Sequence, residues 1–281
     1  ARAVVHITHG MAEHSKRYAR FALELTAAGF AVFAHDMRGH GRTIADDASQ
    51  GVFAKSDGLI KVLEDQNEIV NLIKKRLPNK PVICFGHSLG SIINLNFALT
   101  YPNQVNALAC WNSGIETGLL PKASRIILAI EGFFRNQNLP SLIAWKLSFE
   151  AWNSKFKPNR TKFDWLSRDE NEVNLYVGDP HCGFEVSISM WRDVLDGVFN
   201  AGNKKILQKL PKELPVHIVG GAEDPCTQNG SDMKKLATKL QNSGLSDVTC
   251  MILEGTRHES LNEINRDQTT KQFIKWLEER F

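Results

Sequence analysis

No apolar run in this 281-residue chain approaches the ~20 residues that a membrane-spanning helix needs. No N-terminal stretch shows the charged, apolar and small-residue order of a secretory signal. There is no low-complexity tract, no internal repeat and no block of like charge. The net charge is only +3, too small to argue for nucleic acid or an acidic membrane as a partner. Cysteine is sparse and odd in number: Cys84, Cys110, Cys182, Cys226 and Cys250, with no C-x-x-C spacing. That excludes a disulfide framework and the common structural zinc motifs. Cys84, Cys110 and Cys250 lie in apolar runs and read as small buried thiols, which favours a reducing, cytoplasmic compartment. What is present is ordinary globular material, 42% hydrophobic and 23% charged, enough for a sizeable core.

Strand-length apolar runs alternate with helical periodicity. Strands are expected at 3–9, 30–35, 81–86, 105–111, 215–220 and 247–253, and helices at 17–28, 59–77, 89–100, 231–242 and 267–280. Repeated β-then-α with continuous apolar strands predicts an α/β fold: a mostly parallel sheet covered by helices on both faces. The interval 115–200 breaks the rhythm. It is helical in tendency and holds 12 of the 24 aromatic residues in under a third of the chain, so it reads as a helical insertion. Within it, 124–134 (SRIILAIEGFF) is apolar around much of a helix, as in a packed segment or a cavity wall. The expected division is a core of 1–114 and 201–281 with a cap of 115–200.

At 82–99 (VICFGHSLGSIINLNFAL) an apolar strand meets an apolar helix across Gly86-His87-Ser88-Leu89-Gly90. G-x-S-x-G on a strand–turn–helix is a nucleophile elbow, in which a sharp turn lifts the serine above the carboxyl end of the sheet. Side chains at Gly86 or Gly90 would collide with the neighbouring backbone. The Leu89 N–H opens a helix, lacks a helical acceptor and so suits an oxyanion. A serine hydroxyl needs a base, and the base needs an orienter. Asp224 follows the strand 215–220 and His258 follows the strand 247–253, on the same side of the sheet as Ser88. Glu223 is the rival orienter. His6 and His217 fall inside strands and read as core, His87 as structural, and His181 as a minor candidate for touching substrate. A second oxyanion donor is expected from Met11, behind the tight turn at Gly10. His9, Glu13 and His14 hold no zinc spacing, and His258-Glu259-Ser260-Leu261-Asn262 is not H-E-x-x-H, so no metal and no cofactor is expected.

Taken together, the stretches 9–18 (HGMAEHSKRY), 34–43 (AHDMRGHGRT), 86–91 (GHSLGS), 220–225 (GGAEDP) and 254–263 (EGTRHESLNE) resemble the monoacylglycerol lipase and lysophospholipase branch of the α/β-hydrolases, also grouped with serine aminopeptidase-like hydrolases. The resemblance implies a Ser88–His258–Asp224 triad with Met11 and Leu89 as oxyanion donors. It implies a site-edge loop at Asp36, Arg38, Gly39 and Gly41, a lid at the insertion, and 171–180 (NEVNLYVGDP) as the cap's closing segment. It also implies two further strands before Ala1. The expected activity is hydrolysis of an acyl-glycerol or lysophospholipid-type ester through an acyl-enzyme. The alternative keeps the triad and changes the substrate to a small ester, a thioester or an aminoacyl amide, with Glu131 or Glu150 available to hold a peptide's α-amine. A non-enzymatic binding module is the third reading, which labelling by a fluorophosphonate distinguishes. The partner is a small-molecule acyl ester and not nucleic acid. An apolar cap could seat the protein on a membrane or micelle or pair two chains, and the sequence leaves the oligomeric state open.

Overall fold

The computed structural model describes residues 1–46 and 48–281. Six parallel strands form one sheet in the order β2-β1-β3-β4-β5-β6: β1 (Val4–Thr8), β2 (Ala31–His35), β3 (Val82–His87), β4 (Ala107–Trp111), β5 (Val216–Gly221) and β6 (Val248–Leu253). The four central strands are buried at every position. Their continuous apolar runs match a sheet with both faces covered. The edge strands β2 and β6 are only partly covered. Cys250, expected to be buried, is therefore exposed on β6, where an edge strand is incompletely overlain by helices.

The pleat sends alternate residues of β3 to opposite layers. Ile83 and Phe85 pack with Trp111 against Phe21 and Leu25 of α1 (Ala19–Ala27) and Phe273 and Leu277 of α11 (Arg266–Glu278). Val82 and Cys84 join the other layer, with α2 (Gly58–Arg76) and α3 (Leu89–Thr100). Residues 115–201 supply α4 (Leu119–Phe134), α5 (Leu142–Trp145), α6 (Ala151–Asn153), α7 (Glu170–Gly178) and α8 (Ile188–Ala201), with a π-helical turn at Lys146–Glu150 between α5 and α6. Trp145, Phe149, Phe163, Trp165 and Tyr176 form a separate aromatic cluster there. α8 does something different: Met190, Val194 and Val198 pack in the same layer as α2 and α3. Short α9 (Lys204–Leu207) leads into β5, and α10 (Ser231–Asn242) returns to β6.

The strand order reverses about β1, whose two neighbours are β2 and β3. Connections therefore leave β1 and β3 in opposite directions, and a crevice opens at their carboxyl ends. Thr8 of β1 lies in register with Gly86 of β3. The loop that starts at His9 and the turn that holds Ser88 are thus neighbours.

Candidate active site

Ser88 has φ 53° and ψ −117°, a left-side backbone conformation that a non-glycine residue holds only under constraint. The constraints are visible. The Ser88 N–H donates to the Trp111 carbonyl at 2.8 Å. A Cβ on Gly86 would fall 2.4 Å from the Gly90 backbone, and one on Gly90 would fall 2.0 Å from the Thr8 carbonyl oxygen. Only glycine permits this closeness of strand, turn and helix. The elbow expected from the sequence is present in detail.

Asp224 lies after β5 and is fully buried. Its Oδ1 and Oδ2 stand 3.0 and 3.1 Å from His258 Nδ1. Cys226 N–H donates to Oδ1 at 2.9 Å, Thr227 Oγ1 to Oδ2 at 3.0 Å, and Asn112 Nδ2 to Oδ2 at 3.3 Å. Burial alone would raise this carboxyl; the His258 charge and these hydrogen bonds outweigh it and hold it below the ordinary carboxylate value. The rival Glu223 is turned to Arg257, 4.0 Å away, with its side chain 45% exposed. The structure brings Asp224, not Glu223, to His258.

Ser88, Leu89, Met11 and His258 line one cavity of about 190 Å³. Among the described residues no hydrogen bond engages Ser88 Oγ, and no acceptor engages the N–H of Met11 or Leu89. A serine hydroxyl, an imidazole oriented from behind and two amides without an acceptor therefore share one space. Proton transfer and oxyanion stabilisation need that arrangement. The cavity adjoins an outer chamber of about 380 Å³ through Trp152, Trp191 and Leu195, and Leu119, Leu120, Ile143 and Leu147 line that chamber.

Beneath the loop after β1 sits a buried polar network; the sequence points to Glu13 as shaping this loop, but not to its link through Arg17 to Glu259. Glu13 Oε1 accepts from the Gly10 N–H at 2.6 Å and from the Tyr18 hydroxyl at 2.8 Å. Arg17 donates to Glu13 at 2.6 Å and grips both oxygens of Glu259 at 2.5 and 2.7 Å. Burial pushes the Glu13 carboxyl up, but the Arg17 charge and the His87 contact leave it well below the ordinary value. His87 donates from Nε2 to the His258 carbonyl at 2.9 Å and faces Glu13 with Nδ1 at 3.5 Å, which makes it a strut, as expected. Arg17 thus ties the loop after β1 to the loop that carries His258. Arg17 and Glu259 both lie in the stretches quoted above, but other charges surround each of them there, so nothing in the sequence singles out this pair.

His6 and His217 are core residues. His9 donates from Nδ1 to the Gly10 carbonyl at 2.7 Å and accepts the Met37 N–H on Nε2 at 3.0 Å, so it shapes the loop. His14 contacts Asp179 at 2.9 Å, and His181 packs edge-on to His14 away from the cavity. Asp36 accepts from Ser15 and Arg42, while Gly39 and Gly41 turn at φ 73° and 51°, so this loop is scaffolding beside the site. Two groups of residues could geometrically hold a metal: His14, Asp179 and Cys182, and Asp224, Cys226 and His258. In the second, Asp224 already spends its oxygens on four hydrogen-bond donors, His258 among them.

The family model described as serine aminopeptidase, S33, matches residues 1–265. The chain is 28% identical over 279 residues to a monoglyceride lipase homolog of Monkeypox virus, covering 99% of this chain and 88% of that one. It is 25% identical over 261 residues to the monoglyceride lipase of Rattus norvegicus, covering 92% and 75%. Its fold matches a thermostable carboxyl esterase from Bacillus coagulans, solved with glycerol, at a TM-score of 0.88 and 24% identity over 99% of this chain and 89% of that one. With the elbow, the six-stranded parallel sheet and a family match over nearly its whole length, the chain belongs to the serine aminopeptidase S33 family of α/β-hydrolases.

Proposed function

We propose that the chain is a carboxylester hydrolase that cleaves acyl-glycerol or lysophospholipid-type esters through an acyl-enzyme. Ser88 Oγ attacks the ester carbonyl while His258 takes its proton. Asp224 holds the imidazole by Nδ1 and steadies the cation that forms. The amides of Met11 and Leu89 receive the oxyanion, each such donor being worth on the order of 3 kcal/mol. The tetrahedral intermediate expels the alcohol, protonated by His258. Water, deprotonated by His258, then releases the acid and restores Ser88.

The observation that carries this reading is the apolar chamber that lies against the reacting cavity and shares Trp152, Trp191 and Leu195 with it. Leu119 (86% exposed), Leu120 (72%), Ile143 and Leu147 open that chamber to the surface. Each CH₂ of an acyl chain that enters is worth ~0.8 kcal/mol. The lid has the chemistry of a lipid contact. Residues 117–149 contain Lys122, Arg125, Arg135 and Lys146 but one carboxylate, Glu131, which is buried against Arg135 and Ser141. Transient docking of this face on a membrane or micelle brings substrate directly to the chamber. The relatives named for monoglyceride lipases support the same substrate class.

The aminopeptidase alternative needs a carboxylate free to hold an α-amine. Glu131 is committed to Arg135 and Ser141, and Glu150 does not line the cavity. Glu13 and Glu259 do line it, but Arg17 occupies both. Assay of monoacylglycerols, lysophospholipids and aminoacyl amides side by side, with Ser88→Ala as control, tests the proposal. Turnover of the esters, lost in Ser88→Ala, is expected. Preferred turnover of aminoacyl amides, or an active Ser88→Ala protein, overturns it.

A further inference from the structure

Ala12 occupies φ 54° although it is not glycine, and it is completely buried. It directly follows Met11, which lines the cavity. An L-residue rests in this region only where its surroundings hold it there. Two groups hold it, and both come from the cap. The Tyr176 hydroxyl donates to the Ala12 carbonyl at 2.8 Å, and the Gly183 N–H donates to the same oxygen at 2.9 Å. The other end of the turn is pinned from the core side, where Glu13 accepts the Gly10 N–H.

The clamp is itself rigid. The Tyr176 ring packs on Phe163 at 4.9 Å, and the Arg17 guanidinium lies 4.8 Å from the ring centre. Gly183 stands at φ 69°, and a Cβ there would fall 2.8 Å from Phe163 Cζ. Phe163, Tyr176 and Gly183 therefore interlock, and the hydroxyl and the amide arrive at Ala12 together. Releasing either one lets Ala12 relax toward ordinary negative φ. That rotation turns the Met11–Ala12 peptide; with the Gly10 end held by Glu13, Met11 between them must readjust, and its N–H then no longer converges with the Leu89 N–H on one oxygen.

We propose that Tyr176 is a positioning residue of the cap: with the Gly183 N–H it holds the Ala12 carbonyl and so fixes the Met11 amide in the oxyanion hole. This rests on the reading of Met11 and Leu89 as oxyanion donors. It makes the cap a structural part of the reaction centre as well as a cover for it.

Steady-state kinetics on a soluble short-chain p-nitrophenyl ester test it with Tyr176→Phe, Ala12→Gly and the double variant, in the full chain. Tyr176→Phe is expected to lower kcat about tenfold, less than loss of a whole oxyanion donor, with KM held within about twofold. Its inactivation by a fluorophosphonate slows by the same factor, while its affinity for an ether analogue without a carbonyl is unchanged. Glycine tolerates positive φ without a Cβ clash, so Ala12→Gly recovers several-fold of the lost kcat in the Tyr176→Phe background. An unchanged kcat, a parallel loss of affinity for the ether, or a double variant no better than Tyr176→Phe overturns the clamp. Should Tyr176→Phe fold poorly, hydrogen exchange on the unmodified chain decides. The Gly183 N–H, which donates to the Ala12 carbonyl, is expected to be as protected as its neighbours in 176–183, and free exchange at Gly183 beside an otherwise protected cap overturns the clamp. Ser88→Ala separates the two levels: if it is active the reaction scheme falls, whereas an inactive Ser88→Ala beside an unimpaired Tyr176→Phe removes the clamp alone.

Discussion

On the sheet side of the cavity, Asp224, Glu13, Glu259 and Asn112 are buried, and each has at least two hydrogen-bond or ion-pair partners. On the cap side, Leu119, Leu120, Phe133 and Phe134 stand more than two-thirds exposed. The floor is a satisfied polar network, which specifies one geometry and fails sharply when a member is removed. The roof carries apolar surface that contributes only when something covers it. Perturbing the floor should therefore cost chemistry or folding, and perturbing these exposed residues of the roof, which are remote from the Tyr176 clamp in sequence and bury little, should cost only the encounter with a lipid surface.

The largest break in that comparison is Asp224→Asn. The side chain keeps its size and one acceptor oxygen, but its amide N–H favours the wrong His258 tautomer, and kcat should fall by ~10⁴ with little change in KM. A variant within tenfold of the parent would remove Asp224 from the reaction. Next is Arg17→Met, which strands Glu13 and Glu259 as buried carboxylates. Breaking a buried ion cluster by taking one partner typically destabilises by about 3–5 kcal/mol, readable in urea unfolding at neutral pH. The loss should shrink on acidification, because Glu13 is held below its ordinary value and its contribution fades as pH falls through that lowered range. On the roof, Phe133→Ser with Phe134→Ser should reduce sedimentation with anionic vesicles by about tenfold, each phenylalanine burying part of its 1.5–3 kcal/mol. Turnover of a soluble short-chain ester should stay unchanged. A loss of soluble-ester turnover would show that the roof shapes the reaction too, and would blur the contrast.

Much of the floor was legible in the sequence because its signals are local. The elbow is one strand–turn–helix, and the predicted helices 89–100 and 231–242 coincide with those observed. Asp224 and His258 each sit just past an apolar strand. The sequence already favours Asp224 over Glu223, and three dimensions supply the reason: the turn aims Asp224 at His258 and Glu223 at Arg257. The supporting contacts were out of reach. Arg17–Glu259, Tyr176–Ala12 and Asn112–Asp224 join residues 242, 164 and 112 apart, and neither periodicity nor spacing pairs such positions. α8 shows the same limit from the packing side. Its apolar face reads like that of any insertion helix, yet Val194 and Val198 lie in the core layer.

α8 belongs by sequence to the insertion and by packing to the core, so its own charged residue sharpens the comparison at the joint. Asp193 lies at the start of α2, where it accepts the Leu59 N–H, and a Cβ on Gly58 would collide with it at 2.1 Å. Burial raises its carboxyl from 3.8 to about 6; the Leu59 hydrogen bond opposes the shift, and Asp196 adds to it. Below pH 4 both folded and unfolded chains hold this proton. Between about 4 and 6 the unfolded chain has released it while the folded chain retains it, so stability falls as pH rises through that window and stays lower above it. That rise corresponds to about 3 kcal/mol, and screening at a partly exposed site reduces this to on the order of 1 kcal/mol. Asp193→Asn keeps an oxygen for the Leu59 amide and never ionises. It should therefore melt with the parent at pH 4 and above it at pH 7.5. An equal melting temperature at both pH values would place Asp193 with the solvated charges of the surface and not with the buried groups of the floor.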